Sequence, residues 1–468
     1  MDFDVIVMGG GLAGLSTANR AAELGLRPVV LEQGADERYP CNSRFAGGLV
    51  HVALRDLTAD AEDIHETVLK NTGGHTDEAL TRLLAGNAGR AGEWLRGQGA
   101  KFIKAGPYEW QRWVLAPPRP RTPGLNWDGR GPDVLLRTLT ANLAERQGRL
   151  LRNARVEELV MEDGHVAGVV AGHDGGTARL TAPAVVIADG GFQGNADLVR
   201  EFITARPEAL FQRGAGTGRG DGLRIARAAG AALTGMDRFY GHLLGRETFE
   251  NAKLWPYPIL DHLAAAGVLV DENAARFCDE KMGGVFMANE TAKLDNPAGI
   301  VVVFDEAIWT TVGADQRFPP TPNDSFVRVG GTVHAANDLR ELAGMVGLPA
   351  DALCATVEAH NAEIESGAMD GKAPLRGKAG GGMTPIATPP YRAIQACAGI
   401  TYTMGGIAID THARALDKSG APIPGLYAAG SSSGGAEGGP LAGYIGGLSK
   451  AVITGLRAAE HIAGERAG

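Results

Sequence analysis

The first ordered pattern along the chain is a short apolar run, Asp4-Val5-Ile6-Val7-Met8, followed by Gly9-Gly10-Gly11-Leu12-Ala13-Gly14. An unbroken β-branched run closed by glycines predicts a buried strand ending in a turn. Leu15 to Gly25 has the composition of a helix with a glycine stop, and a second apolar run, Pro28-Val29-Val30-Leu31, ends at Glu32. The alternation returns further on. Val134 to Gln147 reads as an amphipathic helix with a strand at Arg155-Val156-Glu157 after it, and Val185 to Phe192 as a buried strand running into a glycine turn. Leu223 to Gly230 reads as a short helix, Ile423 to Gly430 as a strand, and Leu448 to Ala463 as the last helix. Strands alternating with helices predict an α/β fold. Between roughly Gly241 and Lys378 the texture differs, with short mixed segments and the Pro319-Pro320-Thr321-Pro322 stretch.

The first strand, turn, helix, strand and acid have a joint physical use. Gly9 permits the tight turn, Gly11 lets the backbone approach a pyrophosphate, and Gly14 lets helix and strand pack closely. The helix N-terminus offers free N–H groups to phosphates, and Glu32 can accept hydrogen bonds from ribose hydroxyls. This is a dinucleotide-binding pattern, to which Ala13 and Gln33 belong by position.

Composition changes the picture little. The chain has 468 residues, 44% hydrophobic and 21% charged, with 68 glycines and a net charge of −9. That excludes a disordered chain or a collagen. No dense Lys/Arg block and no run of eighteen apolar residues exists, so neither nucleic acid nor a membrane span is expected. The cysteines Cys41, Cys278, Cys354 and Cys397 form no C-x-x-C pair, so no metal site is expected. With the first strand starting at Val5, a cytoplasmic protein is the expectation.

A second glycine element, Asn42-Ser43-Arg44-Phe45-Ala46-Gly47-Gly48, follows Glu32. An NAD-only domain has no need of it. Here the chain resembles the flavoprotein family of soluble fumarate reductases, tricarballylate dehydrogenase and 3-ketosteroid dehydrogenases. Ala188-Asp189-Gly190-Gly191-Phe192 is similar to the family's Ala-Thr-Gly-Gly-Phe, and Gly216-Thr217-Gly218-Arg219-Gly220-Asp221-Gly222 to its Gly-Thr-Gly-Asp-Gly. Tyr402-Thr403-Met404-Gly405-Gly406 is similar to His-Thr-Met-Gly-Gly, and Pro424-Gly425-Leu426-Tyr427-Ala428-Ala429-Gly430 to Pro-Gly-Leu-Tyr-Ala-Ala-Gly. The resemblance implies a Rossmann-like FAD-binding domain (GR2-type flavoprotein) with an inserted α+β capping domain. The boundaries it implies are 1–240 and 379–468 for the FAD-binding domain and 241–378 for the cap. It also implies FAD contacts at Asn42, Ser43, Gly47, Gly48, Val156, Ala188, Asp189, Gly190, Asp221, Gly430, Ser431, Gly447 and Leu448. Ser431 stands where the family has a glutamate. No second nucleotide fingerprint is present, so an external electron acceptor is expected.

The same resemblance frames the chemistry. Relatives move a hydride at the carbon β to a carbonyl or carboxylate, while a side chain moves the α proton. The position matching the fumarate reductases' proton-donor arginine is Gly284, and a second, clamping arginine has no counterpart near Leu441, Ala442 and Tyr444. A buried dicarboxylate needs charge-matched partners, so fumarate and succinate fit poorly. The family's first substrate histidine is Tyr402 here, whereas His242 matches another. Tyrosines at the site are similar to the 3-ketosteroid dehydrogenases, which take a neutral ketone. Tyr402 is therefore the first candidate for proton transfer, followed by His242, Tyr444 and Tyr240. Backbone N–H groups of Gly405 and Gly406 are candidates to hold the enolate oxygen. Trp113, in a cluster with Tyr108, Trp110 and Arg112, is a candidate for the pocket wall. The expected activity is an FAD-dependent dehydrogenase (desaturase) of a small cyclic or weakly charged ketone. Two alternatives are a fumarate reductase-type enzyme drawing an arginine from Arg44, Arg112 or Arg246, and an electron-transfer flavoprotein subunit without its own substrate.

Overall fold

The computed structural model describes residues 2–120, 122–173, 175–315, 322–366 and 383–467. Pro319, Pro320 and Thr321 of the proline stretch, and the expected boundary after Lys378, lie outside the described residues.

The chain opens with β1 (Val5–Met8), α1 (Leu12–Glu23) and β2 (Pro28–Leu31). Then come α2 (Gly131–Glu145), β3 (Arg149–Leu151), and the antiparallel strands β4 (Ala154–Glu162), β5 (His165–His173) and β6 (Gly176–Thr181). They are followed by β7 (Val185–Ile187), β8 (Phe211–Gln212), α3 (Asp221–Ala228) and β9 (Phe239–Gly245). Next are α4 (Asp261–Ala266), β10 (Val268–Val270), α5 (Gly284–Ala292), β11 (Val301–Asp305) and β12 (His334–Ala336). The last part holds β13 (Tyr391–Thr403), β14 (Arg414–Leu416), β15 (Pro422–Ala428) and α6 (Gly447–Ala467).

The first sheet has the order β14-β15-β7-β1-β2-β3, parallel throughout except for the β14–β15 pair. The α/β expectation is the architecture observed. Val5, Ile6 and Val7 are fully buried, as are Val29 and Val30. A strand covered on both faces reads as a continuous apolar run, and each such side chain contributes about 1.5–3 kcal/mol. The expected helices are present with shifted ends. α2 starts three residues early because Pro132 sits in its first turn, where a missing N–H costs nothing.

β13 is the central strand of a second sheet. β11 and β12 pair with its first half, β9 with its second half and β8 with its far edge. The first half, through Ala393, Ile394 and Ala396, belongs to a second hydrophobic core with Leu243, Val268–Val270 and Val301–Phe304. Further along, Ala398 and Ile400 belong to the core of the first sheet.

Gly14 shows how tightly the first unit is built: a Cβ there would lie 1.9 Å from the Gly9 carbonyl oxygen. Gly14→Ala forces the turn and α1 apart. Overpacking of this kind costs about 1–3 kcal/mol. The expected result is a lower urea midpoint and lower retention of bound nucleotide on gel filtration.

Candidate active site

One cavity of about 530 Å³ runs from the β1–α1 turn to the junction of the two cores. Its first end is lined by Gly9, Gly11, Ala13, Glu32 and Gln33, and by Asn42, Ser43, Gly47 and Gly48. The Leu12 N–H donates to Ser43 Oγ at 3.0 Å, and both Glu32 oxygens accept backbone N–H groups, from Gly10 at 2.8 Å and Gly34 at 2.7 Å. A Cβ at Gly11 would meet nothing closer than Ser43 Oγ at 3.4 Å. That open approach beside a helix N-terminus is what a pyrophosphate requires. Gly14 does not line the cavity; it packs against Gly9 behind it.

The middle is lined by Val156, Ala188, Asp189, Gly190 and Asp221, and by Gly430, Ser431, Gly447 and Leu448. Asp221 opens α3 and pairs with Arg155 at 2.9 Å. Asp189 accepts from the Gly222 N–H at 2.8 Å and from Ser432 Oγ at 3.1 Å, tying β7 to α3 and to the Gly430–Ser432 turn. Burial raises its pKa to about 6. Cys41 also lines this region, and burial pushes its thiol up to about 11. It stays protonated near neutrality and is no nucleophile there. The N-terminal turn of α6 faces the cavity through Gly447, Leu448 and Ala451. These features fit FAD: a glycine cradle, an acid at the end of β2 and a second helix N-terminus.

At the far end the structure brings Tyr240, His242, Tyr402 and Tyr444 together. Tyr240 on β9 lies opposite Tyr402 on β13, with ring centroids 5.4 Å apart, and stacks on Tyr444 at 4.1 Å. His242 places Nδ1 2.5 Å from Asp261 Oδ2 and Nε2 2.9 Å from the Tyr240 hydroxyl. The Leu243 N–H donates to the other Asp261 oxygen at 2.9 Å, which fixes the carboxylate. A carboxylate at Nδ1 requires the proton there, so Nε2 is the acceptor for the Tyr240 O–H. Burial lowers the His242 pKa, with Asp261 opposing, so the ring is neutral at pH 7. A second chain runs the other way. The Tyr402 hydroxyl donates to Glu437 Oε2 at 2.9 Å, and Lys450 Nζ donates to Glu437 Oε1 at 2.8 Å. Burial, then the Glu437 charge, raises the Tyr402 pKa well above its ordinary value. Burial, then Tyr240, does the same for Tyr444.

Several candidates lie elsewhere. Gly405 and Gly406 pack against the backbones of Gly235 and Ser432 and do not line the cavity. Trp113 is 2% exposed, donates to Asp56 at 3.3 Å and stands in the core, whereas Trp110 lines the cavity beside His51. Arg44 pairs with Asp133, Arg112 with Asp56 and Arg246 with Gln395; none lines the cavity. Sequence reading missed Asp261, Glu437 and Lys450. A lone acid in the glycine loop and a lone lysine in the first turn of an apolar helix were the available signals, since buried charges are paired. A Cβ at Gly284 would lie 1.7 Å from Asp261 Oδ2.

Residues 4–443 match the FAD binding domain family. The chain belongs to that family, as its motifs led one to expect, and is an FAD-dependent oxidoreductase acting on CH–CH groups. The chain is 24% identical over 473 residues to vinyl phenol reductase of Lactiplantibacillus plantarum, covering 93% of this chain and 91% of that one. It is 28% identical over 448 residues to a fumarate reductase (cytochrome) of Shewanella frigidimarina, covering 93% and 72%. It is 27% identical over 555 residues to 4-oxocyclohexanecarboxylate 2-dehydrogenase of Sinomonas cyclohexanicum, covering 100% and 94%. In fold it is similar to 3-ketosteroid Δ1-dehydrogenase of Sterolibacterium denitrificans, with a TM-score of 0.77, 21% identity and 99% of each chain covered. Within this group it stands with the 3-ketosteroid dehydrogenases and fumarate reductases. Among the described residues no helix is long and apolar enough to cross a membrane.

Asp189 gives a pH test. Its folded pKa lies above its ordinary 3.8, at about 6. Between those values the folded chain holds the extra proton, so this group's contribution to stability falls as pH rises through the window. Asp189→Asn removes the fall. Relative to the parent, the variant is expected to gain about 2 kcal/mol between pH 4 and pH 7. Urea midpoints of the flavin-stripped proteins at the two pH values measure it; parallel midpoints contradict it.

Proposed function

We propose that this protein is a dehydrogenase (desaturase) that removes a hydride and an α proton from a C–C bond next to the carbonyl of a small cyclic ketone. The observation that carries the reading is the chain Tyr240–His242–Asp261, whose first two members line the same cavity as Gly9, Gly11, Gly47 and Gly48. The relative that acts on 4-oxocyclohexanecarboxylate supports a cyclic ketone.

FAD, when bound, supplies the hydride acceptor for the β carbon, and an external acceptor takes the electrons onward. The chain's residues manage the proton and the carbonyl oxygen. Tyr240 Oη receives the α proton while its own proton passes to His242 Nε2. Asp261 holds the imidazole in the accepting tautomer and stabilises the imidazolium that forms. The concerted transfer spares the site a free phenolate, which the buried setting of Tyr240 disfavours. Tyr444 faces the cavity beside Tyr240; its hydroxyl oxygen is turned to the Gly447 backbone N–H, and its O–H proton is available to the ketone oxygen where enolate charge develops. Tyr402 was the first candidate for proton transfer. Its proton is committed to Glu437, so its role here is to fix the ring wall against which Tyr240 and Tyr444 pack.

Anaerobic mixing of the yellow protein with saturated cyclic ketones is expected to bleach the flavin. Tyr240→Phe should slow that bleaching by about 10²-fold or more with FAD still bound. Because burial holds His242 below its ordinary 6.5, the rate should stay level as pH falls through 6.5 and drop only in more acid solution, where the imidazole gains its proton. An unchanged rate in Tyr240→Phe would overturn the assignment.

A further inference from the structure

Two guanidinium groups line the cavity with no acid beside them. Arg213 follows β8 and is 8% exposed. Its Nη1 donates to Thr401 Oγ1 at 2.8 Å and its Nη2 reaches the Pro256 carbonyl at 3.4 Å, while its Nε is buried with no partner. Arg119 donates through Nη2 to the Phe45 carbonyl, and its Nε is also buried with no partner. No carboxylate lies within ion-pair distance of either among the described residues. Burial, and secondarily the Arg213 charge, lowers the Arg119 pKa. The buried arginines Arg44 and Arg276 solve the same problem differently: each is matched to a carboxylate, Asp133 and Glu280. Leaving a buried and a partly buried cation unmatched is costly, and the arrangement is explained if the missing anion arrives with a ligand.

The position of the pair indicates which ligand. Arg213 bonds to Thr401, the residue before Tyr402, and to the Pro256 carbonyl, and Arg119 to the Phe45 carbonyl; none of these bonds runs to the β1–α1 turn. Arg213 is near enough to Tyr240 and His242 for its charge to bear on both. We propose that Arg119 and Arg213 form an anion-binding end of the substrate cavity, and that the substrate is a ketone also carrying a carboxylate. This rests on the dehydrogenase reading above and names the substrate class for that same site. A guanidinium meets a carboxylate through two parallel N–H donors, so the pair fixes which end of the molecule points at the tyrosines. The ketone then lies against Tyr240 and Tyr444, and the acid lies away from them.

The test uses the oxidised holoenzyme and follows the flavin absorption. Cyclohexanecarboxylate, which has no ketone to react, is titrated against cyclohexanecarboxamide, its neutral analogue. Charge-assisted pairing predicts that the acid binds at least about tenfold more tightly than the amide. Arg119→Gln and Arg213→Gln should each remove that preference, with amide binding little changed, and Arg119→Lys should restore part of it. Equal binding of acid and amide, no spectral response to either, or variants that weaken both alike would overturn the proposal. If Arg213→Gln does not fold, Arg119→Gln and the parent protein's acid–amide comparison decide. Anaerobic reduction by 4-oxocyclohexanecarboxylate and its carboxamide separates the two claims. Bleaching by both without preference removes the anion site and leaves the dehydrogenase. Acid-selective binding with no bleaching by any ketone removes the dehydrogenase and leaves the anion site.

Discussion

The strand Tyr391–Thr403 is the constraint on which the rest depends. Its first half is hydrogen-bonded into the second core and its end reaches the nucleotide side, where Thr403 Oγ1 accepts the Phe192 N–H at 3.1 Å. Tyr402 stands one residue before that bond and faces Tyr240 across the ladder. The aromatic cluster is therefore positioned by a continuous backbone shared between both hydrophobic cores. A loop would leave the proposed proton-transfer groups free to drift, and a misplacement of about an ångström is enough to cost about a hundredfold in rate.

Polar groups at the far end are organised by the same burial that makes them expensive. Glu437 and Lys450 are both almost completely inaccessible, as an ion pair. Removing one partner from such a pair costs about 3–5 kcal/mol because the other charge is stranded. Tyr402 adds a third member, so the wall behind the tyrosines is a closed, satisfied network. His242 and Asp261 form a second network, open on the side of Tyr240. On the proposed function, the difference between a closed and an open network is what separates the supporting Tyr402 from the proton-accepting Tyr240.

The nucleotide half was legible in the sequence because its requirements are local. Gly9, Gly11, Gly14 and Glu32 answer to backbone sterics and phosphate geometry within one strand–turn–helix–strand unit. Asn42, Ser43 and the glycines near Gly190 and Gly430 carried the resemblance that specified FAD. The catalytic end was legible only as residue types. Asp261 lies 19 residues from His242, and Glu437 lies 35 from Tyr402, so no local pattern links them. Trp110 and Trp113 differ by three positions; the 3₁₀ turn Glu109–Arg112 sends one to the cavity and the other to the core. Gly405 and Gly406 have the place of donors in the sequence motif, but their lack of side chains serves close backbone packing against Gly235 and Ser432.

Gly284 carries a last consequence. The fumarate reductases are matched at this position by an arginine, yet here the space a side chain would enter is already held by the carboxylate that orients His242. A side chain at position 284 and the Asp261 carboxylate compete for one volume. On the proposed function, a side chain introduced at Gly284 alone displaces Asp261 and deprives His242 of the carboxylate that orients it. Positions 284 and 261 are therefore sterically coupled: a larger residue at the first calls for a smaller one at the second.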